Sequence, residues 1–402
     1  MLSRYRDLWR APAVRQSLLA SLPGRLPIGI AGFAILLLVQ HKTASFTLAG
    51  MASALYVLGL ATIAPVAGRA MDSAGPRAVL RVCVWVYPVM LMVLVALVHA
   101  RAPAAAIGLC AYVAGAALPP ITIVMRTLYP RVLNDAALLQ TAYSVDSVVV
   151  ESVFVLGPGL VALFLAAGLP EGAVLLAAFA AFTGTLWFMR VPPVREWVIR
   201  PRAVMNRWAA MREPGLLVLY LATAMYSVAF GLYEIGVTAH AARAGVPAAA
   251  GVALALASLG SAAGALAYGA RHWGAPLRRQ FLLALGLMAA GSLLVAPIGN
   301  LYFFVALNLI AGVPMASVIA TQSQLLSRLA PQGMLAECFT WGGTCLLGGI
   351  GAGIALGGVL AEHLAPTWIF VAAASATGVA ALLALLIPHS EKLEDIGGHL
   401  VK

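Results

Sequence analysis

Long apolar stretches separated by short polar segments run the whole length of the chain. Twelve of them approach or exceed the roughly 20 residues needed to cross about 30 Å of hydrocarbon: near 14–39, 46–67, 78–99, 104–125, 138–167, 170–189, 214–242, 247–269, 281–298, 300–325, 334–361 and 365–388. None shows the alternating pattern of a barrel strand, and backbone groups in lipid must be satisfied within their own segment. The pattern therefore predicts an all-α membrane protein of twelve transmembrane helices. The one long polar interruption, 190–213, contains Pro192, Pro193 and Pro201 and falls near the midpoint. It predicts a first six-helix bundle over 1–189, a basic linker over 190–213, a second bundle over 214–388 and a tail over 389–402.

Composition agrees with this layout. Only 10% of the 402 residues are charged and 62% are hydrophobic, whereas a soluble domain carries about 25% charge. With the N-terminus assigned to the cytoplasm, 21 of the 25 basic residues fall in cytoplasmic loops, the linker or the tail, Arg126 and Arg131 among them; only Lys42, Arg101 and Arg243 lie outside. That asymmetry predicts a multi-pass protein of the cell's inner (plasma) membrane with both termini cytoplasmic. The net charge of +11 is topogenic and suited to anionic lipid contact: the cations occur in every second loop and form no basic stripe, so nucleic acid is not an expected partner. Pro23, Arg25 and Pro27 interrupt the first apolar region, which argues for a retained helix over a cleaved signal. The four cysteines lie within spans and form no metal-ligand pattern, so neither disulfide nor metal is expected.

The two halves echo one another. Gly68, Gly75 and Arg77 after span 2 recur as Gly269, Gly274 and Arg278 after span 8, and Leu139-Gln-Thr-Ala-Tyr-Ser entering span 5 is similar to Leu335-Ala-Glu-Cys-Phe-Thr entering span 11. Parallel repeats of this kind place a transport site at the interface of the halves. The loop Gly68-Arg-Ala-Met-Asp72-Ser-Ala-Gly75-Pro-Arg77 resembles the signature between helices 2 and 3 of the major facilitator superfamily, and Gly157-Pro158 resembles the core of the motif of its proton-coupled antiporters. The sequence departs from the family pattern at Ser73 and Pro76, where the loop usually has basic residues, at Val153 and Val161 around the Gly-Pro core, and in showing no arginine inside span 4. The resemblance implies spans 1, 4, 7 and 10 around a central cavity, and spans 2, 5, 8 and 11 at the interface of the halves. It also implies that Asp72, with arginines such as Arg77 nearby, latches an inner gate against the N-terminus of span 11.

Ionisable groups inside spans mark the candidate site, because each is costly in hydrocarbon without a partner or a wet cavity. Arg25 stands near the middle of span 1 and is expected to face a water-accessible chamber. Glu151 stands at the same depth of span 5, and an Arg25–Glu151 ion pair that opens during transport is expected, with a static structural pair as the alternative. Helical periodicity aligns Gln140, Ser144, Ser147 and Glu151 in span 5; Tyr220, Thr223, Ser227, Glu234 and Thr238 in span 7; and Glu337, Thr340, Trp341 and Thr344 in span 11. Glu234 is a candidate proton or cation site, or else a carboxylate bonded to hydroxyls of a neighbouring helix. Glu337 is a gating candidate, or else simply a charge favoured by its helix dipole. Asp146 lies about 140° round the helix from Glu151 and is expected near the cytoplasmic end. Gly157 and Pro158 are expected to bend span 5, and Pro119-Pro120 and Pro314 to kink spans 4 and 10. Tyr143, Tyr220, Phe339 and Trp341 are candidates for substrate contact, or for packing.

No nucleotide-binding loop occurs, and the few histidines lie mostly at span ends, so neither an ATPase nor an enzyme is expected. The leading expectation is a monomeric secondary transporter of a small organic molecule, without cofactor, driven by a proton gradient and working as an exporter. The alternatives are an importer or uniporter of an anionic metabolite gripped by Arg25, and a lipid transporter.

Overall fold

The computed structural model describes residues 2–43, 45–199, 213–246, 249–271 and 273–387. Twelve helical spans cross the molecule, and no strand occurs among the described residues. The first six are α2 (Pro12–Thr43), α3 (Phe46–Ala74), α4 (Pro76–His99), the pair α5 (Ala104–Ala116) and α6 (Ile121–Val132), α7 (Ala136–Ala166) and α8 (Pro170–Arg190). The second six are α10 (Pro214–Arg243), α11 (Ala249–Ala270), α12 (Leu277–Val295), the pair α13 (Leu301–Gly312) and α14 (Met315–Leu329), α15 (Leu335–His363) and α16 (Pro366–Ala384). A short α9 (Pro192–Arg195) begins the linker, most of which, like the tail from 388, falls outside the described residues.

Prolines divide spans 4 and 10 where expected. Pro119 and Pro120 lie between α5 and α6, and Pro314 lies between α13 and α14, because a proline supplies no N–H to the helix ladder. Helix α6 then continues to Val132, several residues beyond the apolar window, and so carries Arg126 inside span 4. At the α3–α4 turn Gly75 has φ of 81°, a conformation natural to glycine, and Pro76 follows at the first helical position of α4.

Glycines set the closest helix contacts. A Cβ on Gly231 of α10 would stand 2.3 Å from the Ile350 carbonyl oxygen of α15, and one on Gly353 would stand 2.1 Å from that of Val228. The glycine-rich face of span 11 is thus packed against span 7 of its own half, as small residues allow in membranes. Gly157 behaves in the same way, its absent Cβ letting α7 approach the Gly29 carbonyl of α2. The side chain of Pro158 falls outside the described residues.

The buried apolar side chains form three clusters. One draws on both halves and lies toward the arginine-rich face, with Leu18, Met71, Leu80 and Tyr143 from the first half and Leu216, Tyr268, Phe281 and Leu325 from the second. Toward the opposite face the core splits. Ile30, Leu38, Tyr56, Tyr87 and Leu94 belong to a cluster confined to the first half, while Tyr233, Val237, Phe304 and Phe370 belong to one confined to the second. The halves therefore share a core at one end only.

Helix α1 (Leu2–Arg10), which the apolar pattern did not reveal, lies at the shared end. The Tyr5 hydroxyl donates to the Leu266 carbonyl of α11, and Arg4 Nη1 donates to the Arg271 carbonyl at 3.0 Å. Burial pushes the Tyr5 phenol up to about 12.

Candidate functional site

Arg25 does not pair with Glu151. Its Nη2 lies 2.6 Å from Asp146 Oδ1, with both side chains fully buried. The other oxygen of Asp146 receives Arg126 Nε at 2.8 Å, and the Tyr129 hydroxyl donates to Oδ1 at 3.2 Å. Asp146 is therefore the hub of a cluster built from α2, α6 and α7, wholly within the first half. Two further expectations are corrected: span 4 does contain an arginine, Arg126, and Arg25 is enclosed with no exposed surface, so it faces no open chamber. Asp146 itself is fully buried, a third of the way along α7. The angular argument did separate the two carboxylates of α7, but the one that turns toward Arg25 is Asp146.

Glu151 turns instead toward the other half. It accepts from the Ser261 hydroxyl of α11 at 3.0 Å and lies beside Ser258. Ser261 in turn receives the Ala316 N–H of α14 at 2.9 Å. The rest of the span 5 stripe follows the same seam. Gln140 Nε2 donates to the Tyr268 carbonyl at 2.8 Å, and the Thr141 hydroxyl to the Gly269 carbonyl at 2.8 Å. Ser144 fills the space left by Gly269, where a Cβ would come within 2.6 Å. Ser147 is buried and spends its hydroxyl on the Tyr143 carbonyl of its own helix.

A second seam joins α3 to α15. Asp72 accepts from the backbone N–H of Ala336 at 3.1 Å and of Glu337 at 2.9 Å. The N-cap of α15 is Met334, which offers no side-chain acceptor; a carboxylate from the other half caps the helix in its place. Glu337 is 1% exposed and meets Arg69 Nη1 at 3.5 Å. Arg77 donates to the Arg195 carbonyl of α9 at 3.4 Å. At the level of Gly68 the backbones nearly touch, since a Cβ there would stand 2.9 Å from Glu337 Cα and 3.0 Å from the Ala336 carbonyl oxygen. The highest bond of this seam runs from the Thr344 hydroxyl to the Ala61 carbonyl at 3.2 Å.

All these inter-half bonds lie between the arginine-rich face and the middle of the spans, consistent with the shared and split cores. The remaining predicted residues are dispersed. Tyr220 is buried and donates to the Cys338 carbonyl at 3.4 Å, holding α10 to α15. Trp341 is half-buried, its indole N–H without a partner among the described residues. Glu234 is exposed and makes no ion pair among the described residues. Arg126, Asp146 and Tyr129 are the site residues that sequence reasoning missed. Their signal was present but faint: Arg126 and Tyr129 are one helical turn apart, just past the apolar window of span 4.

Two six-helix halves, zipped at one end by polar and close-packed seams and holding ionised groups inside the spans, define a membrane transporter of the two-bundle class. The model of the Major Facilitator Superfamily matches residues 18–345, and the chain belongs to that family. It is not an enzyme. Among solved structures it is similar to a bacterial homologue of the iron transporter ferroportin in an outward-facing state, with a TM-score of 0.77, 16% identity, and coverage of 92% of this chain and 98% of that one. It is similar to the human organic anion transporter MFSD10 (TM-score 0.72, 18% identity, 93% and 99% covered) and to the E. coli fucose:proton symporter FucP (TM-score 0.67, 13% identity, 94% and 99% covered). Comparison with curated proteins finds no match.

Proposed function

We propose that the protein is a proton-coupled secondary transporter that exports a small organic molecule by alternating access, with Glu151 as the coupling carboxylate. The observation that carries this reading is the bond from Glu151 to Ser261, the point at which a titratable group of one half meets the other half at mid-span. A hydrogen bond to an ionised acceptor contributes about 1.5–3 kcal/mol and a neutral one about 0.5–1.5. Protonation of Glu151 thus weakens the link between the halves by roughly 1–2 kcal/mol, a several-fold shift in a two-state equilibrium. A proton binding at the seam and the rocking of the halves are then one linked process.

The arginine-rich face is the cytoplasmic one in this reading, with both termini on that side of the inner membrane. The zipped seams then make this the outward-facing state of a monomer, with Asp72, Arg69 and Glu337 closing the inner gate. Similarity to an outward-facing neighbour supports that orientation. The resemblance of Gly157-Pro158 to the antiporter motif supports export. Direct gripping of a substrate by Arg25, the rival reading, is disfavoured by its enclosure and by its bond to Asp146.

Reconstitution in proteoliposomes with a fluorescent compound that stabilises the purified protein tests this reading. Glu151→Gln is expected to lose uptake or release driven by a pH gradient while retaining substrate exchange at equilibrium. Gradient-driven transport at the wild-type rate in that variant removes Glu151 from the coupling.

A further inference from the structure

We propose that the groove beneath α1 is a binding site for an anionic phospholipid, and that the bound lipid seats α1 as a clasp across the two halves. This goes beyond the transport reading: it rests on the two-bundle architecture, whatever the substrate and the coupling ion.

The pattern of α1 is the first observation. At about 100° per residue, Tyr5, Leu8 and Trp9 share one face of the helix, Arg6 and Arg10 lie on one flank, and Arg4 lies on the other. A short helix with charge divided in this way lies along a membrane surface. Four arginines, Arg4, Arg6, Arg10 and Arg15, face a single carboxylate before Asp72, that of Asp7. Asp7 meets Arg10 at 3.8 Å with both side chains exposed. Arg6 and Arg15 are exposed and make no ion pair among the described residues. A basic cluster of this kind attracts anionic headgroups.

Beneath the helix lies a groove that suits the other end of such a lipid. About 340 Å³ of space separates α1 from the bundle, lined by Tyr5, Leu8 and Trp9, by Val14 and Leu18 of α2 and by Val145 of α7. These walls are aliphatic and aromatic, and the Tyr5 hydroxyl is already committed to the Leu266 carbonyl. A hydrophilic ligand finds little to bond here, whereas an acyl chain finds apolar contact. Leu18 and Val145 stand more than one turn past the starts of their helices, so the groove runs from the arginine-rich face into the depth of a leaflet. Trp9 is 47% exposed, and an indole is suited to the boundary between headgroups and chains.

Position gives the groove its consequence. The Ala11 N–H donates to the Leu8 carbonyl at 3.2 Å and the Arg15 N–H to the Ala11 carbonyl at 3.0 Å, so α1 turns directly into α2. It then reaches the second half, where Tyr5 bonds to the Leu266 carbonyl and Arg4 to that of Arg271. Gln140 of α7 donates to the same Arg271 carbonyl at 3.3 Å, and a Cβ on Gly269 would stand 3.1 Å from the Tyr5 hydroxyl. Helix α1 therefore packs on the first half through the groove and bonds to the second through its polar atoms. A chain that fills the groove restores contacts to the apolar face of α1 and so favours the zipped state. Opening at the arginine-rich face breaks the Tyr5 and Arg4 bonds.

The test uses purified, delipidated full-length protein in detergent. Phosphatidylglycerol, phosphatidylcholine with the same chains, and sn-glycerol 3-phosphate are added separately. Native mass spectrometry reads bound lipid, and spin labels across the arginine-rich face read the separation of the halves. Phosphatidylglycerol is expected to bind about tenfold more tightly than phosphatidylcholine and to shorten the distances, with glycerol phosphate inactive. Arg6→Gln with Arg10→Gln is expected to weaken phosphatidylglycerol by about ten- to thirtyfold and to spare phosphatidylcholine. Val145→Phe, which fills the groove, is expected to weaken both. Tyr5→Phe is expected to keep the lipid but lose the lipid-induced shortening. Should Val145→Phe fail to purify, the arginine variant, which alters exposed side chains alone, decides. Equal binding of the two lipids, phosphatidylglycerol affinity unchanged by the arginine variant, or glycerol phosphate acting as well as the lipid overturns the site. Distances that ignore phosphatidylglycerol in the unmutated protein overturn the clasp.

Discussion

The two halves share a fold but solve the problem of buried polarity differently. The first half encloses ionised groups, Arg25, Arg126 and Asp146, in contacts of 2.6 and 2.8 Å. The second encloses a neutral network in which the Tyr268 hydroxyl donates to Gln280 Oε1 at 2.6 Å and receives Gln324 Nε2 at 3.1 Å. Tyr233 similarly donates to Asn308 Oδ1 at 2.6 Å. The contrast continues where the halves meet. Asp72 and Glu151 of the first half present carboxylates, and the second answers with the N–H groups of Ala336 and Glu337 and the hydroxyl of Ser261, the Arg69–Glu337 pair being the exception. Along this seam, carboxylates of one half are thus met mostly by neutral donors of the other.

The sharpest way to break this comparison is to neutralise the hub. Asp146→Asn leaves the buried Arg25 and the largely buried Arg126 without a counter-charge and is expected to cost about 3–5 kcal/mol, read as a large fall in melting temperature or loss of purified protein. A drop no larger than that of a conservative change in the neutral network would erase the distinction between the halves. Next in size is a steric wedge at the seam. Gly68→Val forces a branched side chain onto Thr340 and the α15 backbone and is expected to disfavour the zipped state by about 1–3 kcal/mol. Spin-label distances across the arginine-rich face should lengthen, while Gly251→Ala, a position with open space around it, leaves them unchanged.

Asp72→Asn keeps the shape of the cap but removes its charge from the α15 N-terminus. An expected loss of about 1–2 kcal/mol would appear as increased thiol labelling of a cysteine placed on the inner side of α15; unaltered labelling would show that the cap carries no gating energy. The smallest effect is expected from Tyr268→Phe, about 1 kcal/mol, with transport retained. Abolished transport in that variant would mean that the neutral network is more than a scaffold.

Hydropathy alone made the twelve spans legible, because the cost of exposed backbone in lipid leaves helices as the only form that twenty apolar residues can take. The proline breaks were legible for an equally local reason, a missing N–H, whereas the approach of Asp72 to the start of span 11 was implied only by the resemblance of its loop to a family signature.

Which ionised groups meet was a different matter. Arg25 and Asp146 are 121 positions apart, and their pairing depends on the rotation of α7 about its own axis, which periodicity constrains only relative to other residues of the same helix. A rotation of about 140° exchanges Asp146 for Glu151, and both faces of α7 are polar, so nothing in the chain's pattern selects between them. Arg126 was hidden for a related reason, since the end of an apolar window is not the end of a helix. The amino-acid sequence by itself determined the number, type and order of the spans, because each is decided by the free energy of one segment in lipid. Only the tertiary structure decided that the ionised cluster lies inside the first half and that Glu151 belongs to the seam, because both are settled by how helices rotate against partners distant in the chain.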